Sequence, residues 1–375
     1  MFIINEDERY SIRAHIFRNF TDADYEENTP IFLVHGFGAG SGLWFKNIGK
    51  ISSNSLESMA SKRRVYAIDL LGYGLSTRKQ FPTAAEEIEK LYTSSLNFVL
   101  ETLKLDKVIL IGHSFGGYLA AVFALNKPER IKHLVLVDAW GFVENNDESI
   151  RPIYRLLLRL PTPLGILRHS GFAGPYFLKK FRPDFAHIFA LDDSNMDKLE
   201  DNALIDTGYI PDETDEGDLT SEDSQTNKTL KRSYTCPESL SNPVVTNWTP
   251  DVVYEYIYQC NMRNPTGEAA FYGLCKRNFF AKMPMAPRMK NIQKDIPITF
   301  IYGGRSWIDS SSGLKVKGDR SESYVDVKII QTGGHQAFAQ CANEFNKIIR
   351  EICTKIDTNQ CFNHDKQTKF SLDDN

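Results

Sequence analysis

A chain of 375 residues, 42% hydrophobic and 25% charged, carries enough apolar material for one large core with room for an insertion. It holds no uncharged apolar run of membrane-spanning length, and its net charge of −4 gives no sign of a nucleic-acid partner. That charge is uneven: between Asp192 and Asp223 thirteen Asp or Glu face the single Lys198, which leaves the remainder of the chain net positive.

Six cysteines without a CxxC spacing, and histidines without an HxxxH or HExxH pair, support neither a disulfide framework nor a metal site, and no cofactor is expected. Met1 to Tyr10 lacks the basic and apolar regions of a secretory leader, so the expected compartment is the cytosol.

In chain order, FIIN and YSIRAHIFRN at the start suggest an antiparallel edge pair. The runs IFLVHGF (31–37), RVYAIDLL (64–71), KVILIGHS (107–114), HLVLVDAW (133–140), ITFIYGG (298–304) and VDVKIIQTGGH (325–335) are β-branched and apolar. They read as strands buried on both faces. Helical spacing fills 83–105 and 114–130 between them, and this alternation predicts a mostly parallel sheet covered on both sides.

The stretch 141–297 is too long for one crossover and is expected to form a cap inserted before the penultimate strand. Its middle, 192–247, is acidic and polar and is expected to be disordered. The expected division is therefore 1–140 for the first part of the core, 141–297 for the cap, 298–355 for the rest of the core and 356–375 for a polar tail.

Gly112-His113-Ser114-Phe115-Gly116 fits G-x-S-x-G between a strand and a helix. A turn this tight forces strained backbone angles on Ser114, and neighbours with side chains would collide, hence the glycines. The strain lifts the hydroxyl above the sheet as a nucleophile, and the fold expected around such an elbow is the α/β-hydrolase fold. A serine hydroxyl needs a base. His335, on the glycine-flanked TGGHQAF loop after the last strand, is the best placed of eight histidines.

The acid that orients the imidazole is read as Asp309, which follows the penultimate strand, with Asp138 at the end of the strand before it as the alternative. Asp69 reads as the brace of a turn. Two backbone amides should receive the developing oxyanion, those of Phe115 and of Phe37 in the HGFG loop.

Beyond this pentapeptide, HGFGAGSGLW, VYAIDLLGYGLSTR, IGHSFGGYLAA, LVDAWGF, RPDF, YIYQCN, FIYGGRSWID and GGH followed by EFN resemble the subfamily of α/β-hydrolase domain-containing proteins 4 and 5, from about Thr29 to Cys353. The resemblance implies a lipid substrate. One branch of that subfamily is a lysophospholipase acting on N-acylphosphatidylethanolamine and its lyso form. The other has Asn at the nucleophile position, coactivates a triglyceride lipase at lipid droplets, and has also been described as a lysophosphatidic acid acyltransferase.

Ser114 matches the first branch, whereas Arg305 and Gly334 match positions tied to lipase activation in the second. The acyltransferase pattern HxxxxD is broken by Gln340, and the Trp-rich segment that anchors the coactivator to droplets has no counterpart before the first HG strand. For docking on a peripheral membrane or droplet surface, the spacing of Arg151, Arg155 and Arg159 suggests a basic helix face on the cap, with Lys179, Lys180 and Arg182 further on.

Overall fold

The computed structural model describes residues 1–5, 9–17, 28–48, 58–61, 63–144, 162–190, 251–276 and 279–358, together with 360 and 362. The acidic stretch 192–247 and the three arginines Arg151, Arg155 and Arg159 lie outside the described residues.

Eight strands form one sheet: β1 (Phe2–Asn5), β2 (Tyr10–Phe17), β3 (Ile31–Val34), β4 (Val65–Ile68), β5 (Val108–His113), β6 (Ile131–Val137), β7 (Ile298–Gly303) and β8 (Val325–Ile330). Their order is β1-β2-β4-β3-β5-β6-β7-β8, antiparallel for β1-β2 and β2-β4 and parallel from β4 onward. β3, β4, β5 and β7 are buried at every residue. That is why their sequences run apolar without alternation: helices cover both faces of a parallel sheet.

Helix α1 (Ala85–Thr102) and helix α2 (Phe115–Asn126) cover one face, and α2 follows β5 without a linker beyond Ser114 itself. α2 is buried almost throughout, so its sequence FGGYLAAVFALN is apolar all round rather than amphipathic. Glu89 on α1 takes the Tyr118 hydroxyl at 2.5 Å and the Arg288 guanidinium at 2.7 and 2.8 Å, which pairs its buried charge.

Between β6 and β7 lie helices α3 (Pro163–His169), α4 (Gly174–Phe181), α5 (Val252–Asn261) and α6 (Thr266–Leu274). α3 begins as its sequence dictates, with the Thr162 hydroxyl accepting the Gly165 amide at 2.9 Å and Pro163 in the first turn. Gly174 lets α4 seat closely on α5, since a Cβ there would come within 2.2 Å of the Tyr258 ring. Val253, Tyr254 and Ile257 of α5 join the core on the Trp44 and Phe338 face of the sheet. Phe271 and Leu274 of α6 join the opposite core with Phe115 and Trp140. The inserted helices therefore straddle the ends of the strands, above Ser114. Helix α7 (Ser311–Asp319) follows β7, and helix α8 (Ala342–Asp357) follows β8.

Candidate active site

The parallel register brings the C-terminal ends of β3, β5, β6 and β7 side by side, with Val34 opposite Gly112, His113 opposite Val137, and Val137 opposite Ile301. Loops leaving these ends are where an α/β sheet places its ligands.

Ser114 sits at the first of these turns with φ 53° and ψ −117°, a conformation an L-residue adopts only under constraint. The constraint is visible in its neighbours. A Cβ at Gly112 would lie 2.4 Å from the Gly116 carbonyl oxygen, and one at Gly116 would lie 2.4 Å from that of His35 and 2.5 Å from that of Val34. The Ser114 carbonyl then accepts the amides of Gly117 at 2.9 Å, Tyr118 at 3.2 Å and Trp140 at 3.1 Å, which locks the elbow to α2 and to the end of β6.

His335 arrives from the loop after β8. Its Nε2 lies 3.1 Å from Ser114 Oγ, so the hydroxyl donates to it and the ring proton belongs on Nδ1. Two aromatic neighbours pack against the ring. His113 is 4.8 Å from it between centroids, and Trp307 is 5.1 Å away and 69% exposed. His113 Nε2 also donates to the His335 carbonyl at 2.8 Å. Burial lowers the His335 pKa to about 4 and pushes that of His113 well below the ordinary histidine range.

Asp138, not Asp309, faces Nδ1. Its Oδ2 is 4.0 Å from His335 Nδ1, an ion-pair separation rather than a hydrogen bond, and its side chain is fully buried. The Gly303 amide approaches both of its oxygens at 3.3 Å. Burial raises the Asp138 pKa to about 8, against the lowering pull of the Gly303 amide and the Ser306 hydroxyl.

The expectation for Asp309 is corrected here. After β7 the chain is tied down by Gly304 N–H to the Ile330 carbonyl and Arg305 N–H to that of Gly333, and it then runs outward. Asp309 lands exposed just before α7, where its carboxylate accepts the Ser311 amide at 3.2 Å. The Ser311 hydroxyl and amide hold its pKa below the usual carboxylate range. It closes a local turn of the Asx type ahead of the helix.

The loop after β3 is held from behind. His35 Nε2 accepts the Leu70 amide at 3.0 Å, which leaves Nδ1–H to donate to the Gly36 carbonyl at 2.8 Å. Asn261 of α5 donates to the Gly38 carbonyl at 2.7 Å. Phe37 packs its ring on Phe271 at 4.4 Å. Phe115 opens α2, so its amide precedes the first intrahelical hydrogen bond. Asp69 does brace a turn, taking the Ser41 amide at 2.8 Å, the Ser41 hydroxyl at 2.7 Å and the Leu75 amide at 2.9 Å.

Arg305 and Gly334 come together beside His335. Arg305 is exposed and hydrogen-bonded through its amide to Gly333, while the Gly334 amide donates to Gln340 Oε1 at 2.7 Å. Gln340, where the HxxxxD pattern has Asp, thus closes the histidine loop. Sequence reasoning singled out neither Trp307 nor Asn261: an exposed Trp and a helix-terminal Asn carry no local pattern that marks a site. Among the described residues no group of His, Cys, Asp and Glu is arranged to hold a metal ion.

A doubly wound sheet with a strained serine at the end of β5 and a histidine over it defines an α/β hydrolase fold, and a family model of that description matches residues 29–168. At 34% identity, over 89% of this chain and 82% of the relative, it is similar to the (lyso)-N-acylphosphatidylethanolamine lipases of Mus musculus and Homo sapiens. At 35% identity, over 88% of this chain and 78% of the relative, it is similar to the Homo sapiens 1-acylglycerol-3-phosphate O-acyltransferase ABHD5. The chain belongs to this family of α/β-hydrolase domain proteins.

Among solved structures, the esterase EaEST from Exiguobacterium antarcticum matches with a TM-score of 0.56 at 14% identity, covering 94% of this chain and 99% of the esterase. A meta-cleavage product hydrolase from Pseudomonas fluorescens matches with a TM-score of 0.53 at 16% identity, covering 95% and 97%. At these identities the likeness is one of fold.

Proposed function

We propose that the protein is a serine hydrolase that cleaves acyl esters of lysophospholipids or related glycerolipids, of the (lyso)-N-acylphosphatidylethanolamine lipase type. The observation that carries this reading is the 3.1 Å contact between Ser114 Oγ and His335 Nε2 on a strained elbow. Ser114 gives its proton to Nε2 as it attacks the ester carbonyl, and the amides of Phe37 and Phe115 take the developing oxyanion. Asp138 stabilises the imidazolium. The departing alcohol takes the proton from Nε2, and water, deprotonated by the same nitrogen, releases the fatty acid from the acyl-Ser114 ester and restores the hydroxyl.

The protein acts, in this reading, as a cytosolic enzyme attached peripherally to a membrane or lipid droplet. No described helix is long and apolar enough to cross a membrane. Exposed Phe172, Tyr176, Phe177 and Phe181 beside Lys179 and Lys180 support attachment to a lipid surface. The test is labelling by a fluorophosphonate probe together with fatty-acid release from lysophosphatidylethanolamine. A chain that neither labels nor releases fatty acid would abandon the hydrolase.

A second reading then takes its place, activation of a partner triglyceride lipase. The exposed Arg305 beside Gly334, on the loops next to His335, favours it.

The pH profile follows from the two shifted groups. His335 is active as the neutral base, so its contribution is lost as pH falls through about 4. Asp138 is active as the carboxylate, and with its pKa raised to about 8 its contribution grows as pH rises through that value. The expected kcat/KM therefore climbs from pH 6 to pH 9 rather than levelling near 7, and Asp138→Asn removes this limb. A flat wild-type profile between pH 6 and 9 would refute the assignment of the limb to Asp138.

A further inference from the structure

Gly38, Gly40 and Gly42 of the HGFGAGSG loop are not called for by the nucleophile or its base. Gly38 has φ 66° and is the third residue of the turn Gly36–Ala39, which the Ala39 amide closes on the Gly36 carbonyl at 3.4 Å. That corner of a turn favours glycine. Gly40 and Gly42 serve close approach instead. A Cβ at Gly40 would run into the Tyr256 hydroxyl and lie 2.9 Å from Cys260 Sγ, and one at Gly42 would lie 2.7 Å from Tyr256 Cζ. Tyr256 and Cys260 belong to α5, so the loop is shaped to let one helix of the insert reach its backbone.

The helix uses that approach. Asn261 Nδ2 donates to the Gly38 carbonyl at 2.7 Å, and the Gly42 amide donates to the Tyr256 hydroxyl at 2.8 Å. Asn261 is buried, and the same Nδ2 donates to the Ile257 carbonyl at 2.8 Å, which fixes the carboxamide on its own helix. Val253, Tyr254 and Ile257 already supply the packing of α5 against the core, whereas these two bonds are directed at the loop backbone.

That backbone passes the nucleophile. The Gly36–Phe37 peptide is trans, so its carbonyl and its amide point in opposite directions. The Gly36 carbonyl accepts from His35 Nδ1, and a Cβ at Gly36 would lie 3.1 Å from Ser114 Cβ. The Phe37 amide is therefore turned away from His35 beside Ser114. His35 holds the entrance to the turn and Asn261 holds its exit.

We propose that Asn261 is a positioning residue for the reaction of Ser114: through the Gly38 carbonyl it fixes the turn that aims the Phe37 amide at the developing oxyanion, with Tyr256 as a second, more distant tie. A donor assists only if its direction is set before the charge develops, and α5 sets it. The inserted helix is thereby part of the frame of the reaction centre as well as its cover. This role rests on the serine-hydrolase reading.

The experiment compares inhibition of the full chain by dodecyl trifluoromethyl ketone and by dodecyl methyl ketone. With the fluorinated ketone, Ser114 Oγ bonds to the carbonyl carbon, the carbonyl π pair moves onto oxygen as the oxyanion, and the hydroxyl proton passes to His335 Nε2. The methyl ketone binds as a free carbonyl. Asn261→Leu keeps the approximate size of the side chain and removes the donor. In this variant the trifluoromethyl ketone is expected to bind at least about tenfold more weakly, with kcat for fatty-acid release falling by the same factor, since losing a whole oxyanion donor costs about 10²- to 10³-fold. Affinity for the methyl ketone, and KM, should stay within about twofold of wild type, as befits an interaction felt only in the transition state. Tyr256→Phe should show the same selective loss at about threefold, the size of one neutral hydrogen bond acting at a distance.

Equal weakening of both ketones in Asn261→Leu would mean that Asn261 only holds the insert in place, and this overturns the assignment. Unchanged affinity for the trifluoromethyl ketone overturns it too. Should Asn261→Leu fail to fold, Tyr256→Phe decides with the same pair of ketones: a selective loss supports the clamp, and an equal loss or none overturns it. A wild type that binds both ketones alike removes the hydrolase and the clamp together, whereas failure confined to the variants leaves the hydrolase standing.

Discussion

Ser114→Ala is expected to reduce kcat for fatty-acid release by about 10⁵- to 10⁶-fold and to abolish fluorophosphonate labelling. The size follows from covalent catalysis: without the hydroxyl there is no acyl-enzyme, and only binding and the oxyanion amides are left to assist attack by water. The elbow itself should survive. Its conformation is imposed by the close approach of Gly112 and Gly116 to backbone and by three hydrogen bonds to the Ser114 carbonyl, none of which involves the hydroxyl. An unchanged melting temperature with lost activity separates chemistry from folding. A loss of less than tenfold in the release assay would mean that Ser114 is not the nucleophile.

Asp138→Asn is expected to lower kcat by about 10⁴-fold while leaving KM nearly unchanged, because an amide cannot stabilise imidazolium and can hold the wrong ring tautomer. The counterpart, Asp309→Asn, is expected to stay within about twofold of wild type, as exposed substitutions outside a site generally do. Asparagine forms this Asx-type turn as well as aspartate does, so the contact to the Ser311 amide is preserved. The comparison discriminates sharply, since both residues follow a strand end and both changes remove one charge. Were the large loss to fall on Asp309, the orientation of His335 seen here would have to change when an ester binds.

These two aspartates show where local pattern stops. The strands were legible because a parallel sheet buried on both faces demands continuous β-branched and apolar runs, and 31–37, 107–114 and 298–304 satisfy that demand without help from distant residues. The nucleophile was legible for a related reason. Only glycine tolerates positions 112 and 116, two residues to either side of Ser114, so the constraint is written into five consecutive residues. His335 was legible by position, as a glycine-bounded histidine after the last strand.

The partner of His335 was not legible in the same way. Asp138 and Asp309 both stand after predicted strands, and choosing between them requires knowing which loop turns inward. That depends on the ties from Gly304 to Ile330 and from Arg305 to Gly333, which join residues about 26 to 28 positions apart, and on the Gly303 amide being directed at Asp138.

The sequence by itself determined the sheet, the strained serine and its base, because each is specified by residues adjacent in the chain that admit one backbone conformation or one pattern of burial. Only the tertiary structure decided which carboxylate faces the imidazole and how Asn261 and Trp307 enter the site. Those are contacts between segments whose approach is set by packing across the whole core, and packing is a property of the assembled chain rather than of any stretch of it.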